Sequence, residues 1–323
     1  MLPEKCLLVG LGEIGMGYDL LLDPKEYILS HARAINLHSG FELIGAVDLD
    51  RKKRELFEKA YSKPVFNNLE NALQNTSPSI VVISTPTNSH LNIVVKVLSS
   101  IKPKVILCEK PLSYDLDESR KIVELCEKSK VSLFVNYMRR VDPGAVEIFQ
   151  KINSKFIADG VKGLVWYSKG FLHNASHFFN LLEFWLGDYR KSKLIKINKF
   201  KNSEDFEVDA LVEFEKGSAL FQSADEDFFS HYTIELLSKS GRLRYEYGGR
   251  QIIWQGIAKD LIIPGYTRLN NSIESIPNNM NYNQYEVFDH LSKFISGEFH
   301  YLCTGHQALK TLESMHDVIS QGI

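Results

Sequence analysis

A chain of 323 residues with 44% hydrophobic and 24% charged residues has a globular composition and is long enough for two cores. Its formal net charge of −2 argues against nucleic acid or an anionic membrane as the main partner. No apolar run approaches the roughly eighteen residues of a membrane span, and the early run Cys6 to Leu11 is too short and glycine-broken for a signal peptide. Four cysteines, Cys6, Cys108, Cys126 and Cys303, have no metal-like spacing, so the expectation is reduced thiols in a cytoplasmic protein.

The first predicted strand is the apolar run 6–9, closed by Gly10. Gly10-Leu-Gly12-Glu13-Ile14-Gly15 follows at once, and its glycines suit a tight turn, a close approach of pyrophosphate and helix packing. An ordinary strand-to-helix turn is the plainer reading, but after the first strand of a βαβ series the nucleotide fingerprint is favoured. Strands are further predicted at 41–47, 79–84, 104–108 and 132–136, with helices at 31–38, 51–61, 68–75, 89–99 and 115–129. Strands apolar throughout and alternating with helices describe a doubly wound parallel sheet.

An acidic residue is expected about twenty positions after the fingerprint. Asp23 and Glu26 stand there, and neither closes a strand, whereas Asp48 does. The inference is an insertion of roughly a dozen residues near Met16 to Leu29, with Asp48 binding the adenosine ribose. A carboxylate there favours NAD over NADP, although Arg51 keeps NADP open. The basic cluster Arg51 to Arg54 reads either as a solvated helix face or as a contact to cofactor phosphate or ribose.

The third strand runs into Ser84-Thr85-Pro86-Thr87-Asn88-Ser89-His90, a polar turn that either caps a helix near Ser89 or lines the cofactor. The fourth runs into Glu109-Lys110-Pro111, where an open α/β sheet binds its ligands. A partly desolvated lysine at that point is a candidate acid–base group or charge stabiliser. Proline ends the strand ladder beside it.

After about residue 140 the pattern changes. Alternating segments at 163–170, 193–201, 206–214, 217–224, 231–238, 242–247 and 250–256 predict an antiparallel meander with one buried face. A helix is expected from His177 to Leu186, a loop at 270–283, and two closing helices at 281–296 and 304–320. The domain reading is 1–138 for dinucleotide binding and 139–323 for a second α/β domain, with the last helix a candidate to pack back on the first domain. His173 and His177, four apart, are compatible with a metal pair, with satisfied histidines at a helix start, or with proton transfer. No glutamate stands between them and no third ligand lies nearby, so no metal is expected.

In order along the chain, Gly10/Gly12/Gly15, Asp48, Ser84 to His90, Glu109-Lys110-Pro111, Asn136-Tyr137-Met-Arg139-Arg140 and the His177 segment make the sequence resemble the Gfo/Idh/MocA oxidoreductases. That resemblance implies an α/β protein with an N-terminal Rossmann domain and a C-terminal α/β domain carrying a large, open, mainly antiparallel sheet. It implies that Gly10, Gly12, Glu13, Ile14, Gly15, Asp48, Ser84, Thr85, Pro86, His90, Glu109 and Lys110 hold NAD. It makes Lys110 and His177 the catalytic pair, with Tyr137, Arg139, His173 and Asn174 around the substrate. Many sugar and polyol dehydrogenases of the family have an aspartate where this chain has His173, and another where it has Asn180. The function implied is hydride transfer between nicotinamide and a hydroxyl or carbonyl carbon of a sugar, polyol or sugar nucleotide, in a homodimer or homotetramer formed through the second sheet. A non-catalytic nucleotide- and sugar-binding sensor on the same fold is the alternative.

Overall fold

The computed structural model describes residues 2–200 and 204–322. Lys201, the last residue of the expected 193–201 strand, lies outside them. The elements in chain order are β1 (Glu4–Val9), α1 (His31–Leu37), β2 (Phe41–Val47), α2 (Arg51–Tyr61), β3 (Val65–Phe66), α3 (Leu69–Asn75), β4 (Ile80–Ile83), α4 (His90–Ser100), β5 (Val105–Cys108), α5 (Leu116–Lys128) and β6 (Ser132–Val135). Then come α6 (Pro143–Asn153), β7 (Val161–Tyr167), α7 (Ser176–Leu186), β8 (Tyr189–Lys199), β9 (Phe206–Phe214), β10 (Gly217–Ser223), β11 (Thr233–Ser238), β12 (Gly241–Glu246) and β13 (Gln251–Lys259). The chain closes with β14 (Thr267–Leu269), β15 (Glu274–Ser275), α8 (Asn283–Ile295), β16 (Cys303–Thr304) and α9 (Gly305–Ser320).

Two compact units form, one running to Val141 and taking up Asn281–Lys310, the other Asp142–Met280 with the chain from Thr311 on. The first unit is thus discontinuous, because α8 and β16 return to it from the half of the sequence read as a separate domain. Its sheet has the order β16-β6-β5-β4-β1-β2-β3 and is parallel except for the β16–β6 pair. The chain leaves β1 in one direction through β2 and β3 and in the other through β4, β5 and β6. The switch point therefore falls between β1 and β4, the place where such sheets bind ligands beyond their C-terminal ends. Registers align those ends: Val9 pairs with Val47 and Ile83, Ile83 with Cys108, and Cys108 with Val135. The next residue of each strand is Gly10, Asp48, Ser84, Glu109 and Asn136, five positions along one edge.

Local signals explain the helix starts. Asp50 accepts the Lys52 amide at 2.7 Å, Asn68 the Asn71 amide at 2.7 Å, and Asp115 the Glu118 amide at 2.9 Å. At α4 the expected cap fails: the Ser89 hydroxyl donates to Thr85 Oγ1 and the Pro86 carbonyl, both at 2.7 Å, instead of capping an amide. After the glycine turn the helix is interrupted. Met16 bonds back to the Gly12 carbonyl, the chain loops out, and His31 and Ala32 then donate to the carbonyls of Ile14 and Gly15 at 3.0 and 2.9 Å. Residues 18 and 19 would hold those places in a continuous helix, so thirteen residues (31 against 18) are inserted.

The second unit's sheet has the order β14-β13-β12-β11-β7-β10-β9-β8, with β15 beside β13. It is not the simple meander expected. The first strand of the unit, β7, lies at the centre, antiparallel to β11 but parallel to β10. Adjacent strands need not follow sequence order when the helix α7 separates β7 from the strands after it. Ala210, Phe221, Val165, Ile234, Tyr245 and Ile252 form its buried row. Phe179 of α7 meets Phe221 and Phe214 with ring centroids 5.5 and 5.6 Å apart, and Trp185 meets Tyr245 at 5.6 Å. Trp185 Nε1 also donates to the Ala145 carbonyl at 2.9 Å, joining α7 to α6, a helix the sequence reading passed over. The 270–283 stretch, read as a loop, contains β15. All four cysteines are buried free thiols, and no helix among the described residues is long and apolar enough to cross a membrane.

Candidate functional site

At the end of β1 the chain turns with Gly10 at φ +101°, and a Cβ there would lie 2.7 Å from the Ser84 backbone. A Cβ on Gly15 would stand 2.2 Å from the Gly10 carbonyl oxygen, whereas one on Gly12 would meet nothing within 4 Å. Two glycines therefore close the turn on itself, and the third leaves open space at its mouth, as a pyrophosphate needs. Glu13 is exposed and Ile14 half-buried in the same turn.

Asp48 Oδ2 accepts the Leu11 amide at 2.7 Å and Oδ1 the Asp50 amide at 2.8 Å. Each carboxylate oxygen keeps a second lone pair, so the group can still accept two ribose hydroxyls. Of the neighbouring cations, Arg54 donates to the carbonyls of Asp48 and Leu49 at 2.9 and 2.8 Å, and Arg51 pairs with Glu55 at 2.8 Å. The turn, the open mouth and the carboxylate together fit NAD.

In the β4 loop two of the expected cofactor residues turn their side chains to intramolecular partners. Ser84 turns its hydroxyl inward, donating to the Gly10 carbonyl at 2.8 Å, so it braces the turn. His90 does not reach the surface: its ring nitrogens lie 3.1 Å from the Leu112 carbonyl and 3.0 Å from the Thr85 carbonyl. Burial lowers its pKa and the backbone carbonyls only partly oppose that; a neutral imidazole carries a single N–H, so it donates to one of these two carbonyls while packing between the β4 and β5 loops. Thr85 is half-buried and Pro86 exposed.

Beyond β5, the Glu109 amide bonds to the Ile83 carbonyl at 2.9 Å and the Lys110–Pro111 bond is cis. Lys110 is half-buried, but the Glu109 side chain turns inside. Its Oε1 lies 2.8 Å from His31 Nε2 and accepts from Asn136 Nδ2 at 2.6 Å. Burial pushes the Glu109 carboxyl up, yet the His31 and Asn136 hydrogen bonds and the Lys110 charge outweigh it and hold the group below the usual carboxylate range. Glu109, expected to touch cofactor, turns its carboxylate to these two interior partners. Asn136 also donates to Gln284 Oε1 at 3.2 Å. Tyr137 is buried and Arg139 half-buried in the turn after β6.

In the second unit, a π-helical turn, Phe171–Ala175, leads into α7. Asp205, buried just before β9, accepts the amides of Leu172 and His173, both at 2.8 Å. Gly170 makes this possible, because at φ +85° its missing Cβ would lie 2.2 Å from Asp205 Oδ2. His173 is exposed, whereas His177 is buried on the first turn of α7. The Asn174 amide nitrogen donates to the Ser168 carbonyl at 2.9 Å, which ties it to β7. Asn180 donates to Thr311 Oγ1 at 2.9 Å.

Sequence reasoning missed His31, Gln284 and Asp205, and named Asn136 in a motif without giving it a role. Asn136 left a signal, as a polar residue closing an apolar strand level with Gly10 and Glu109. Asp205 left none, since nothing in its own neighbourhood pointed to residues 172 and 173.

The description of the Gfo/Idh/MocA oxidoreductase family, NAD-binding Rossmann fold, matches residues 5–137. An inositol 2-dehydrogenase of Rubrobacter xylanophilus is 31% identical over 146 residues, 44% of this chain and 40% of that one. A scyllo-inositol 2-dehydrogenase (NAD(+)) of Bacillus subtilis is 30% identical over 167 residues, 52% of this chain and 44% of that one. The matches thus span about two fifths of the relatives' length. The WlbA dehydrogenase from Bordetella pertussis, solved with NADH and UDP-GlcNAcA, superposes with a TM-score of 0.75 over 99% of this chain and 96% of that one, at 16% identity. At that identity the likeness establishes the fold of both units.

Proposed function

We propose that this chain belongs to the Gfo/Idh/MocA oxidoreductase family, whose model matches residues 5–137, and is an NAD-dependent dehydrogenase acting on a CH–OH carbon of a polyol, sugar or sugar nucleotide. The observation that carries the proposal is the level row of strand ends. It puts the glycine turn and Asp48 on one side of the switch point, and Glu109 and Lys110 on the other. A cofactor site and a half-buried lysine on one sheet edge suit a reaction at the nicotinamide end. Bound NAD supplies the hydride acceptor.

Within that frame, Asp48 holds the ribose and the Gly10–Gly15 turn receives the phosphates. Lys110 donates a hydrogen bond to the substrate oxygen and stabilises the negative charge that develops there. An imidazole nitrogen of His177 takes the hydroxyl proton, a step worth roughly 10²- to 10⁴-fold in rate. Tyr137, Arg139, His173 and Asn174 orient the substrate, and Arg139 suits a carboxylate or phosphate on it. Two relatives are named as inositol 2-dehydrogenases and one structural neighbour holds UDP-GlcNAcA. Inositols and uronic-acid sugar nucleotides are therefore the first substrates to assay. None of these relatives supports the binding-only alternative.

The exposed face of the second sheet is the proposed oligomer contact. Leu211, Leu220 and Leu164 run across three adjacent strands there, opposite the buried row. The buried free thiols support a cytoplasmic setting. The test of function is reduced-nicotinamide absorbance with NAD and a panel of myo-inositol, scyllo-inositol and UDP-GlcNAcA. Turnover of one of them is expected, and bound NAD with no turnover of any polyol or sugar nucleotide favours the sensor.

A further inference from the structure

His31 is the first residue of α1 and fully buried. Nothing in the hydride-transfer reading uses it. Its backbone is clamped from one side, where His31 and Ala32 donate to the glycine turn. The segment just before it is clamped from the other: Ile28 donates to the Asn281 carbonyl at 2.8 Å and Gln284 donates to the Ile28 carbonyl at 3.3 Å. The return leg of the insertion thus sets His31 and, through the Ile28 carbonyl, the backbone of Gln284 in α8, and both side chains reach the buried Glu109–Asn136 pair. His31 Nε2 meets Glu109 Oε1 at 2.8 Å, and Gln284 meets Asn136, which donates to the same Glu109 oxygen. The other carboxylate oxygen, Oε2, accepts the Lys110 amide at 3.3 Å. A buried acid held on one oxygen by an imidazole and an amide therefore holds the lysine backbone with its other oxygen.

We propose that His31 is a positioning residue that acts through Glu109: it fixes the carboxylate as an oriented anion, and the carboxylate fixes the backbone and charge environment of Lys110. The proposal rests on the reading that Lys110 works in turnover. The lysine's place is then set by the insertion's return leg as well as by β5. Loss of the imidazole leaves the buried carboxylate with weaker support, favours its neutral form and weakens the anion beside the ammonium.

The experiment uses the full-length protein with His31→Leu, His31→Gln and the near-isosteric Glu109→Gln. Trace acetylation by acetic anhydride, read by peptide mass spectrometry, gives the reactivity of Lys110 relative to exposed Lys191. The expected result is a rise of about threefold or more in His31→Leu and in Glu109→Gln, and a return to within about twofold of wild type in His31→Gln, whose amide nitrogen reaches the place of Nε2. NADH titration by protein fluorescence should not move, and kcat should fall about tenfold or more with little change in KM. Unchanged Lys110 reactivity in folded His31→Leu overturns the proposal. If that variant does not fold, unchanged reactivity in Glu109→Gln overturns it equally. NADH affinity that falls in step with kcat also overturns it, because the cluster then serves the cofactor site. Normal turnover by Lys110→Ala would sink the functional reading instead, and leaves the labelling result to stand by itself.

Discussion

Ala32 occupies the helical place four residues after Gly15, donating its amide to the Gly15 carbonyl at 2.9 Å across an excursion of the chain. The excursion is pinned by Asp19, which is completely buried. Asp19 accepts from the Leu29 and Ser30 amides at 2.6 and 2.9 Å and from the Ser30 hydroxyl at 2.6 Å, and lies 3.7 Å from Arg33. Arg33 in turn donates to the carbonyls of Leu22 and Tyr27 at 2.9 and 3.1 Å.

Asp19→Ala removes the acceptor for three donors and leaves the Arg33 charge buried without its counter-ion. The expected cost is about 3 kcal/mol or more, read as a lower urea midpoint. A loss of under about 1 kcal/mol would mean that solvent replaces the carboxylate and that the insertion is not pinned from within.

Asp48 should set the cofactor preference. Asp48→Ala removes an acceptor for the ribose and the negative charge that repels a 2′-phosphate. KM for NAD is expected to rise roughly ten- to a hundredfold, the equivalent of about 1.5–3 kcal/mol for a charged hydrogen bond. The ratio of kcat/KM for NADP to that for NAD should rise with it. An unchanged ratio would show that Asp48 serves only the Leu11 and Asp50 amides.

Stability should fall on mild acidification, with His290 as a main contributor. Burial, helped by Lys293 and His300, lowers its pKa to about 4, while Asp289 opposes the shift. Its Nδ1 accepts the Tyr301 amide at 3.0 Å, a bond that protonation would break. The unfolded chain binds a proton at this histidine below its ordinary value of 6.5, and the folded protein does so only near 4. Between those values the unfolded state holds more protons, so stability is full above the window and drains as pH falls through it. The loss at this residue amounts to about 3 kcal/mol by the low end. His38 and His90, also lowered by burial, act in the same direction. Urea unfolding at stepped pH should give a visibly flatter profile for His290→Asn, which keeps an acceptor for Tyr301. An equal slope in both proteins would assign the acid sensitivity elsewhere.

The first unit was largely legible because its signals are local. Ile80–Ile83 and Val105–Cys108 are buried on both faces and read as unbroken apolar runs, and the helix that follows them, α5, carries its own cap in Asp115. Even the insertion could be inferred, since Asp48 closes a strand and Asp23 does not. What stayed hidden depended on distance along the chain. The parallel β7–β10 pairing joins residues more than fifty positions apart, and alternation alone cannot tell it from a meander. His31 and Glu109 are separated by 78 positions and Asn136 and Gln284 by 148, so their meeting is a property of the fold. Asp205 reaches back 33 positions to the Leu172 amide. Polar residues placed by such contacts look in sequence like any other buried or surface group.

The central claim is that Lys110, at the end of β5, works on the substrate and not on the retention of NAD. Lys110→Ala tests it most directly, with turnover and NADH affinity measured on the same preparation. The expected outcome is a kcat at least about a hundredfold below wild type on any polyol or sugar nucleotide the native enzyme oxidises. NADH affinity should stay within about threefold. Near-native kcat in that variant, or a loss of turnover matched by an equal loss of NADH binding, would contradict it.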